Sequence, residues 1–87
     1  MDVFSAISDP TRRRLLDLLA RGERPVKRLA SFFPTTRSAV SQHLRVLHAA
    51  GLVSVRKAGR EHLFRLRPGR LREVHDWVSR YERFWRS

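Results

Sequence analysis

The sequence predicts a small, mainly α-helical domain with one β-hairpin, in the order α-α-α-α-β-β-α. Apolar residues recur at spacings of three and four along most of the chain, which is the period of amphipathic helices. Between residues 52 and 66 the period changes to two, as in a pair of short strands, and Gly59 lies between these strands. The chain has 87 residues, which is enough for one domain and not two, so residues 1–87 are interpreted as a single domain.

The composition is strongly basic, with a formal net charge of +11. Residues 22–67 hold ten basic and only two acidic side chains, so the excess lies in the middle of the chain. A local excess of this kind favours a polyanionic partner such as nucleic acid. A basic surface that only maintains solubility is the simpler alternative.

The chain also lacks the features of several other classes of protein. It has no cysteine, which rules out disulfides and thiolate metal sites. Its apolar runs are too short to span a membrane, and its start does not resemble a signal peptide. Ser41 and His43 are two positions apart and diverge on a helix, and no other catalytic pair is evident. We therefore expect a soluble, cytoplasmic protein that is not an enzyme.

The N-terminal region predicts two helices. Residues 2–7 form a short turn of helix, and Asp9 followed by Pro10 is a strong start signal for a longer helix that ends at Gly22. The first turn of this longer helix carries three consecutive arginines, at 12–14, which is unfavourable against the helix dipole. Their charges require a compensating partner, either a phosphate or a nearby aspartate.

Residues 25–50 predict a helix-turn-helix. A first helix over residues 26–33 ends before a proline, and Thr35 or Thr36 then caps a second helix over residues 36–48. The second helix has one apolar stripe and one polar face without any acidic residue. That face offers guanidinium, carboxamide and hydroxyl groups, which suit the base edges and phosphates of a major groove. We interpret it as a DNA-recognition helix.

Residues 52–67 predict a hairpin whose tip, residues 56–61, is strongly basic. A hairpin that follows a helix-turn-helix is the wing of a winged helix, and its tip can reach flanking phosphates or the minor groove. The fold class is therefore predicted as a winged helix-turn-helix. An ordinary surface hairpin is the alternative, but the clustering of three cations favours DNA contact by Arg56, Lys57 and Arg60.

The predicted DNA-binding residues divide by the chemical groups that they offer. The candidates for reading base edges all come from the second helix and are Arg37, Ser38, Ser41, Gln42 and His43. The side chains expected mainly to hold phosphates are Thr36, Arg45, Lys57 and Arg60. Which members of the first group read a base is left open.

Residues 70–85 predict a terminal helix with an unusually aromatic stripe. So large an apolar stripe on so small a domain predicts burial against a second copy. Closure of the monomer's own core is the alternative. The expected dimer interface lies in residues 1–8 and 70–86 and comprises Val3, Phe4, Ile7, Leu71, Val74, Trp77, Val78, Tyr81, Phe84 and Trp85.

Three motifs together resemble one known family. Residues 7–12 read Ile-Ser-Asp-Pro-Thr-Arg, residues 38–47 read Ser-Ala-Val-Ser-Gln-His-Leu-Arg-Val-Leu, and residues 50–53 read Ala-Gly-Leu-Val. In this order and spacing they are similar to the ArsR/SmtB-type winged-helix repressors of bacteria, and the aromatic tail resembles the branch without metal sites. The resemblance implies a homodimeric, nucleoid-associated repressor that binds double-stranded operator DNA and dimerises through its first and last helices.

Metal sensing in this family, as the resemblance implies, uses either thiolates in the first helix of the helix-turn-helix or paired Asp and His ligands on the last helix. The matching residues 27–32 contain no thiolate, and His75 and Asp76 are adjacent and point to different sides of a helix. We expect no metal site and no cofactor. An unknown small-molecule or protein inducer, or abundance alone, is left open as the signal. A winged helix that binds RNA or a protein partner is the alternative function.

Overall fold

The computed structural model describes residues 1–87 and shows a mainly helical fold with a small antiparallel sheet. Its elements, in chain order, are α1 (Val3–Ala6), α2 (Pro10–Leu19), β1 (Arg24–Pro25), α3 (Val26–Ala30), α4 (Arg37–Ala49), β2 (Val53–Ala58), β3 (Glu61–Leu66) and α5 (Leu71–Ser79). The predicted class is confirmed, with α3 and α4 as the helix-turn-helix and β2 and β3 as the wing. None of these helices has the length and apolar character that a membrane span requires.

Aspartates begin both N-terminal helices. The Asp2 side chain accepts a hydrogen bond from the backbone N–H of Ser5 at 2.8 Å, and the Asp9 side chain accepts one from the backbone N–H of Arg12 at 3.0 Å. Pro10 occupies the first turn of α2, where an N–H group would have no partner within the helix. The start of α2 therefore agrees with the sequence-based expectation.

The turn between α3 and α4 is longer than the sequence suggested. Helix α3 ends at Ala30 instead of residue 33, and the backbone N–H groups of residues 31–33 bond to carbonyls three residues back. Pro34 is the physical reason, because a proline disfavours the α conformation at the residue before it. At the start of α4, the Thr36 hydroxyl accepts a hydrogen bond from the backbone N–H of Ala39 at 3.0 Å, which identifies Thr36 as the cap.

The sheet has three strands in the order β1-β3-β2, all antiparallel. The wing strands pair from Val53 opposite Leu66 to Ala58 opposite Glu61. Strand β1 was not predicted, so the observed order adds one element before α3. Its two residues pair with Leu63 and Phe64 of β3. A two-residue strand is too short to show an alternation of apolar and polar residues, so only its pairing with β3 identifies it.

The core consists of thirteen buried residues, and every one of them is apolar. Helix α4 contributes Val40, Leu44 and Leu47, each fully buried. They pack with the leucines of α2, with Leu29 of α3 and with the residues that lead into β2. Burial of one stripe of α4 fixes which side of this helix faces solvent.

Val3 belongs to this core and not to a dimer interface, which corrects the prediction for this residue. Its side chain is fully buried within the protomer, so it has no surface left to offer to a second copy. Ile7, Leu71 and Val74 are half-buried and also pack against the protomer's own core. The spacing of α1 and α5 showed which residues share a face, but it could not separate those that face inward from those that remain outside.

The C-terminal end of α4 is held by a glycine and an arginine. Gly51 has a φ of +76°, the left-handed conformation that often ends a helix. Arg70, just before α5, donates a hydrogen bond through Nη1 to the Ala50 carbonyl at 3.0 Å. The start of α5 is thereby fixed to the end of α4.

The chain after α5 departs from the predicted helix. Helix α5 ends at Ser79 and is followed by a 3-10 turn at Glu82–Phe84, whereas the sequence predicted a helix to residue 85. The N–H groups of Arg80 and Tyr81 bond to carbonyls three residues back, which tightens the chain as in a 3-10 helix. An apolar spacing of three and four over a single turn does not distinguish the two kinds of helix.

Candidate nucleic-acid interface

The polar face of α4 projects from the folded domain without an acidic residue on it. Arg37, Ser38, Gln42 and Arg45 are exposed, and Ser41 is half-buried. Successive residues of an α-helix are about 100° apart, so these five side chains fall on one side of α4, away from its buried stripe. The base-reading candidates other than His43 are therefore brought together on one surface.

The structure does not place His43 on this polar face of α4. Two neighbouring helix positions differ by about 100°, so His43 lies on the flank of α4 beyond Gln42. Its ring faces α2, where Nδ1 lies 3.3 Å from Nη1 of Arg12 and 3.9 Å from Oδ2 of Asp9. We had expected His43 among the base readers, but its nearest polar partners are within the protein.

Two of the three arginines that open α2 donate to main-chain carbonyls, and the third, Arg14, lies over the Phe33 ring at 5.9 Å from its centroid. Arg12 donates through Nε to the Ala6 carbonyl at 2.6 Å and through Nη2 to the Ser5 carbonyl at 3.2 Å. Arg13 donates to the Ile7 carbonyl at 2.8 Å. The Ala6 and Ile7 carbonyls lie at the end of α1, where carbonyls lack helical partners, so the guanidinium groups satisfy them. The Ser5 carbonyl also accepts hydrogen bonds from the backbone N–H and the hydroxyl of Ser8.

Asp9 is the one carboxylate at this junction. The hydrogen bond from the backbone N–H of Arg12 lowers the pKa of Asp9 below its ordinary value, burial opposes this shift, and the charges of His43 and Arg12 add to the lowering. The ionised form of Asp9 is therefore stabilised in the fold. It is both the cap of α2 and a counter-charge beside the arginines.

The predicted wing cations have different surroundings. Arg56 makes a two-point ion pair with Glu23, from Nε to Oε2 at 2.9 Å and from Nη2 to Oε1 at 2.8 Å. This hydrogen-bonded pair lowers the pKa of Glu23 and raises the pKa of Arg56. No sequence signal indicated the pair, because its partners are 33 residues apart and Glu23 lies outside the hairpin.

Lys57 and Arg60 remain exposed at the end of the wing. The hairpin closes at the pair Ala58–Glu61, so Gly59 and Arg60 form a two-residue turn. Gly59 has a φ of +62°, a conformation that glycine adopts without strain at the first position of such a turn. The turn therefore presents Arg60 at the tip.

Two cations of α3 were missed by the sequence analysis. Lys27 and Arg28 are exposed, and the Arg28 guanidinium lies over the Phe32 ring at 5.7 Å from its centroid. The first helix of a helix-turn-helix crosses the DNA backbone, which makes such positions candidates for phosphate contacts. Their position in the first helix of the helix-turn-helix is a sequence signal for phosphate contact.

A second surface, here called the aromatic surface, consists of the exposed residues Phe4, Trp77, Val78, Tyr81, Phe84 and Trp85. Four of its rings form a continuous series, with centroid distances of 5.9 Å from Phe4 to Trp77, 5.5 Å from Trp77 to Tyr81 and 6.4 Å from Tyr81 to Phe84. Trp77 and Tyr81 are each 48% exposed and Phe84 is 70% exposed. The protomer alone leaves this surface uncovered.

No group of three or more His, Cys, Asp or Glu side chains is arranged to hold a metal ion. His75 and Asp76 contact each other, with Nδ1 and Oδ1 3.3 Å apart, and both are exposed. The polar face of α4 and the tip of the wing form an exposed surface.

The lowered pKa of Asp9 predicts a specific acid sensitivity. A carboxylate with a depressed pKa adds stability that is fully present above its unfolded value of about 4 and is lost as the pH falls further. Asp9→Asn keeps a capping oxygen but cannot ionise. Urea unfolding at about pH 6 and about pH 3 should show a smaller loss of stability on acidification for this variant than for the wild type.

Asp17→Asn is the matched control, because Asp17 is an exposed carboxylate of the same helix. It should follow the wild type at both pH values. Equal acid sensitivity in Asp9→Asn and the wild type would contradict the assigned role of Asp9.

Comparison with known proteins agrees with this geometry. A model of the family described as "Bacterial regulatory protein, arsR family" matches residues 9–55. The HTH-type transcriptional regulator Rv2034 of Mycobacterium tuberculosis is 40% identical over 82 residues, which cover 94% of this chain and 74% of that protein. The transcriptional repressor SdpR of Bacillus subtilis is 34% identical over 80 residues, which cover 92% of this chain and 89% of that protein.

Solved structures show the same fold. The crystal structure of a possible transcriptional regulator for arsenical resistance has a TM-score of 0.85 and 46% identity, and the match covers 94% of this chain and 85% of that one. The solution structure of a homodimeric winged helix-turn-helix DNA-binding domain from Mycobacterium bovis has a TM-score of 0.74 and 27% identity, with 98% and 79% covered. The chain therefore belongs to the bacterial arsR family of winged helix-turn-helix transcriptional regulators.

Proposed function

We propose that this protein is a homodimeric, sequence-specific repressor that binds an inverted-repeat operator. The observation that carries the proposal is the polar face of α4, which is exposed, free of acid and rigidly backed by Val40, Leu44 and Leu47. A rigid helix with such a face fits the major groove of DNA. In this proposal α4 enters the groove, and the wing tip follows the flanking backbone.

The side chains of α4 take different roles in this complex. Arg37, Ser38, Ser41 and Gln42 read base edges, because their guanidinium, hydroxyl and carboxamide groups match the donors and acceptors displayed in the major groove. Arg45 and the Thr36 hydroxyl hold phosphates. The Thr36 oxygen already accepts a bond from Ala39, but its own O–H remains free to donate.

The cations of the wing also take different roles. Lys57 and Arg60 are exposed and hold phosphates. Arg56 keeps its ion pair with Glu23 and fixes the wing to the segment before β1. Lys27 and Arg28 of α3 add contacts to the backbone on the other side of the groove.

Dimerisation covers the aromatic surface. A patch of six large apolar residues on one protomer is more than an isolated soluble domain usually leaves in water. A relative with the same fold is a homodimer, which supports the same arrangement here. Two copies related by a two-fold axis place their α4 helices in successive major grooves, about 34 Å apart or somewhat more. This symmetry requires an operator with two inverted half-sites.

The direct test is a gel shift with the DNA upstream of the protein's own gene. A band that persists in excess nonspecific competitor supports operator binding. If the protein binds RNA or another protein and shifts no DNA, the alternative function is favoured instead.

Gln42→Ala tests base reading on the same DNA. Loss of a carboxamide that reads a base should weaken operator binding by about 1–3 kcal/mol and leave binding to random duplex unchanged, because random binding is dominated by phosphates. Fluorescence anisotropy with both duplexes measures this ratio. An equal loss on both duplexes would show that Gln42 does not read a base.

Arg60→Ala tests the wing. Affinity should fall similarly on operator and random duplex, and the slope of log K against log salt should become shallower by roughly one unit. Arg72→Ala is the control, because Arg72 is an exposed cation of α5 outside the proposed interface. A salt slope in Arg60→Ala that equals the slope of the control would remove the wing from the proposal.

Phe84→Glu tests dimerisation. The side chain is 70% exposed in the protomer, so the change should not affect folding, but it places a charge in the proposed interface. Sedimentation equilibrium should show a dimer for the wild type and a monomer for the variant. Arg72→Glu, on the opposite side of α5, should remain a dimer. A wild type that is monomeric at all concentrations would contradict the proposal.

A further inference from the structure

One side chain, Arg12, connects three helices. From the first turn of α2, its Nε and Nη2 groups reach the Ala6 and Ser5 carbonyls at the end of α1. Its Nη1 group lies 3.3 Å from Nδ1 of His43, in the middle of α4. No other side chain with recorded hydrogen bonds joins α1 to α4 in this way.

The contact with His43 determines where the imidazole carries its proton. A guanidinium has only donors, so an Arg12–His43 hydrogen bond requires Nδ1 to be the acceptor. A neutral imidazole with an unprotonated Nδ1 carries its proton on Nε2. A hydrogen bond from Arg12 to Nδ1 is therefore compatible with only one of the two neutral tautomers of His43.

The carbonyls that Arg12 binds through Nε and Nη2 belong to α1, a helix that cannot be stable alone. Helix α1 has only four residues, far fewer than an isolated helix needs. It is held by the burial of Val3 and Ala6 in the core, by the Asp2 cap, by the guanidinium of Arg12 and by the edge-to-face contact of Phe4 with Trp77. Phe4 and Trp77 belong to the aromatic surface, so a second copy that covers that surface further restrains the carbonyls that Arg12 binds.

The groups facing His43 are those of α2. Asp9 lies on the same side as Arg12, with Oδ2 3.9 Å from Nδ1, and its negative charge balances the guanidinium. Arg13, the next residue, also donates to a carbonyl at the end of α1 but has no recorded contact with α4. Both arginines therefore bond to the end of α1, but only Arg12 contacts the recognition helix.

We propose that Arg12 is a positioning residue that sets the orientation and tautomer of His43, and thereby joins the aromatic surface to the recognition helix. Its effect on DNA rests on the proposed function, whereas its effect on His43 does not. In the dimer, the second copy restrains α1, and α1 in turn restrains Arg12. Arg12 contacts α4 on the flank opposite the face proposed to read DNA. Operator binding and dimerisation are then coupled through this guanidinium.

The first test needs no DNA. Nitrogen-15 NMR of the histidine rings, at a pH where they are neutral, reports which ring nitrogen carries the proton. In the wild type His43 should show an unprotonated Nδ1 and a protonated Nε2, and the other three histidines serve as internal references. Arg12→Lys should give a mixture of tautomers, because an ammonium group cannot span the two carbonyls and the ring together.

Arg13→Lys is the matched control, since it makes the same change in chemistry one residue away and keeps the same charge. It should leave the His43 tautomer as in the wild type. Protonation of Nδ1 in the wild type, or no difference between Arg12→Lys and Arg13→Lys, would overturn the proposal. The measurement on the wild type can overturn the proposal even if Arg12→Lys does not fold, because a protonated Nδ1 could not accept a hydrogen bond from Arg12.

The second test uses the duplex from upstream of the gene. Arg12→Lys should weaken its binding about tenfold, as expected for the loss of a hydrogen bond from a charged donor, and Arg13→Lys less than about twofold. In a His43→Ala background the Arg12→Lys change should have little further effect, whereas a role only in folding would weaken binding equally in both backgrounds.

The outcomes separate the two proposals. If the wild type retains no duplex, the proposed function fails, and the tautomer measurement alone decides whether Arg12 positions His43. If the duplex is bound and Arg12→Lys binds it as tightly as Arg13→Lys does, the link to the recognition helix is refuted while the proposed function stands.

Discussion

Burial of the apolar stripe of α4 is the constraint on which the rest of the structure depends. Val40, Leu44 and Leu47 are removed from water completely, and a helix anchored along one side can present only the other side to a partner. The direction of the polar face is therefore set by residues that are buried in the core. Helices α2 and α3 and the sheet supply the opposing surface of the core.

The arginines show that a high positive charge is not the same as a large DNA-binding surface. Arg12 and Arg13 satisfy carbonyls at the end of α1, Arg70 satisfies the Ala50 carbonyl, and Arg56 is paired with Glu23. Guanidinium suits these tasks because it offers several donors in a fixed geometry. Part of the positive charge is therefore used for bonds within the protomer, and composition alone does not show which arginines make them.

The features that the sequence predicted well are those encoded by neighbouring residues. The order of the helices, the cap Asp9 and the wing follow from spacing, capping and turn chemistry over short stretches. The features that the sequence did not predict depend on partners far away in the chain: Val3 is buried in the core, the His43 ring contacts α2, and β1 exists only through its pairing with β3. The end of α3 was a local signal that was misjudged, because Pro34 affects the residues before it.

The short strand β1 also has a consequence for association. It covers part of one edge of the sheet, so β3 lies inside and only β2 presents a long open edge. Open strand edges tend to pair with other copies and lead to aggregation, and charged side chains oppose this. Strand β2 carries Arg56 and Lys57. Arg56 is paired with Glu23, so the charge that remains on this strand is that of Lys57, and it disfavours edge-to-edge stacking of the sheets of two copies.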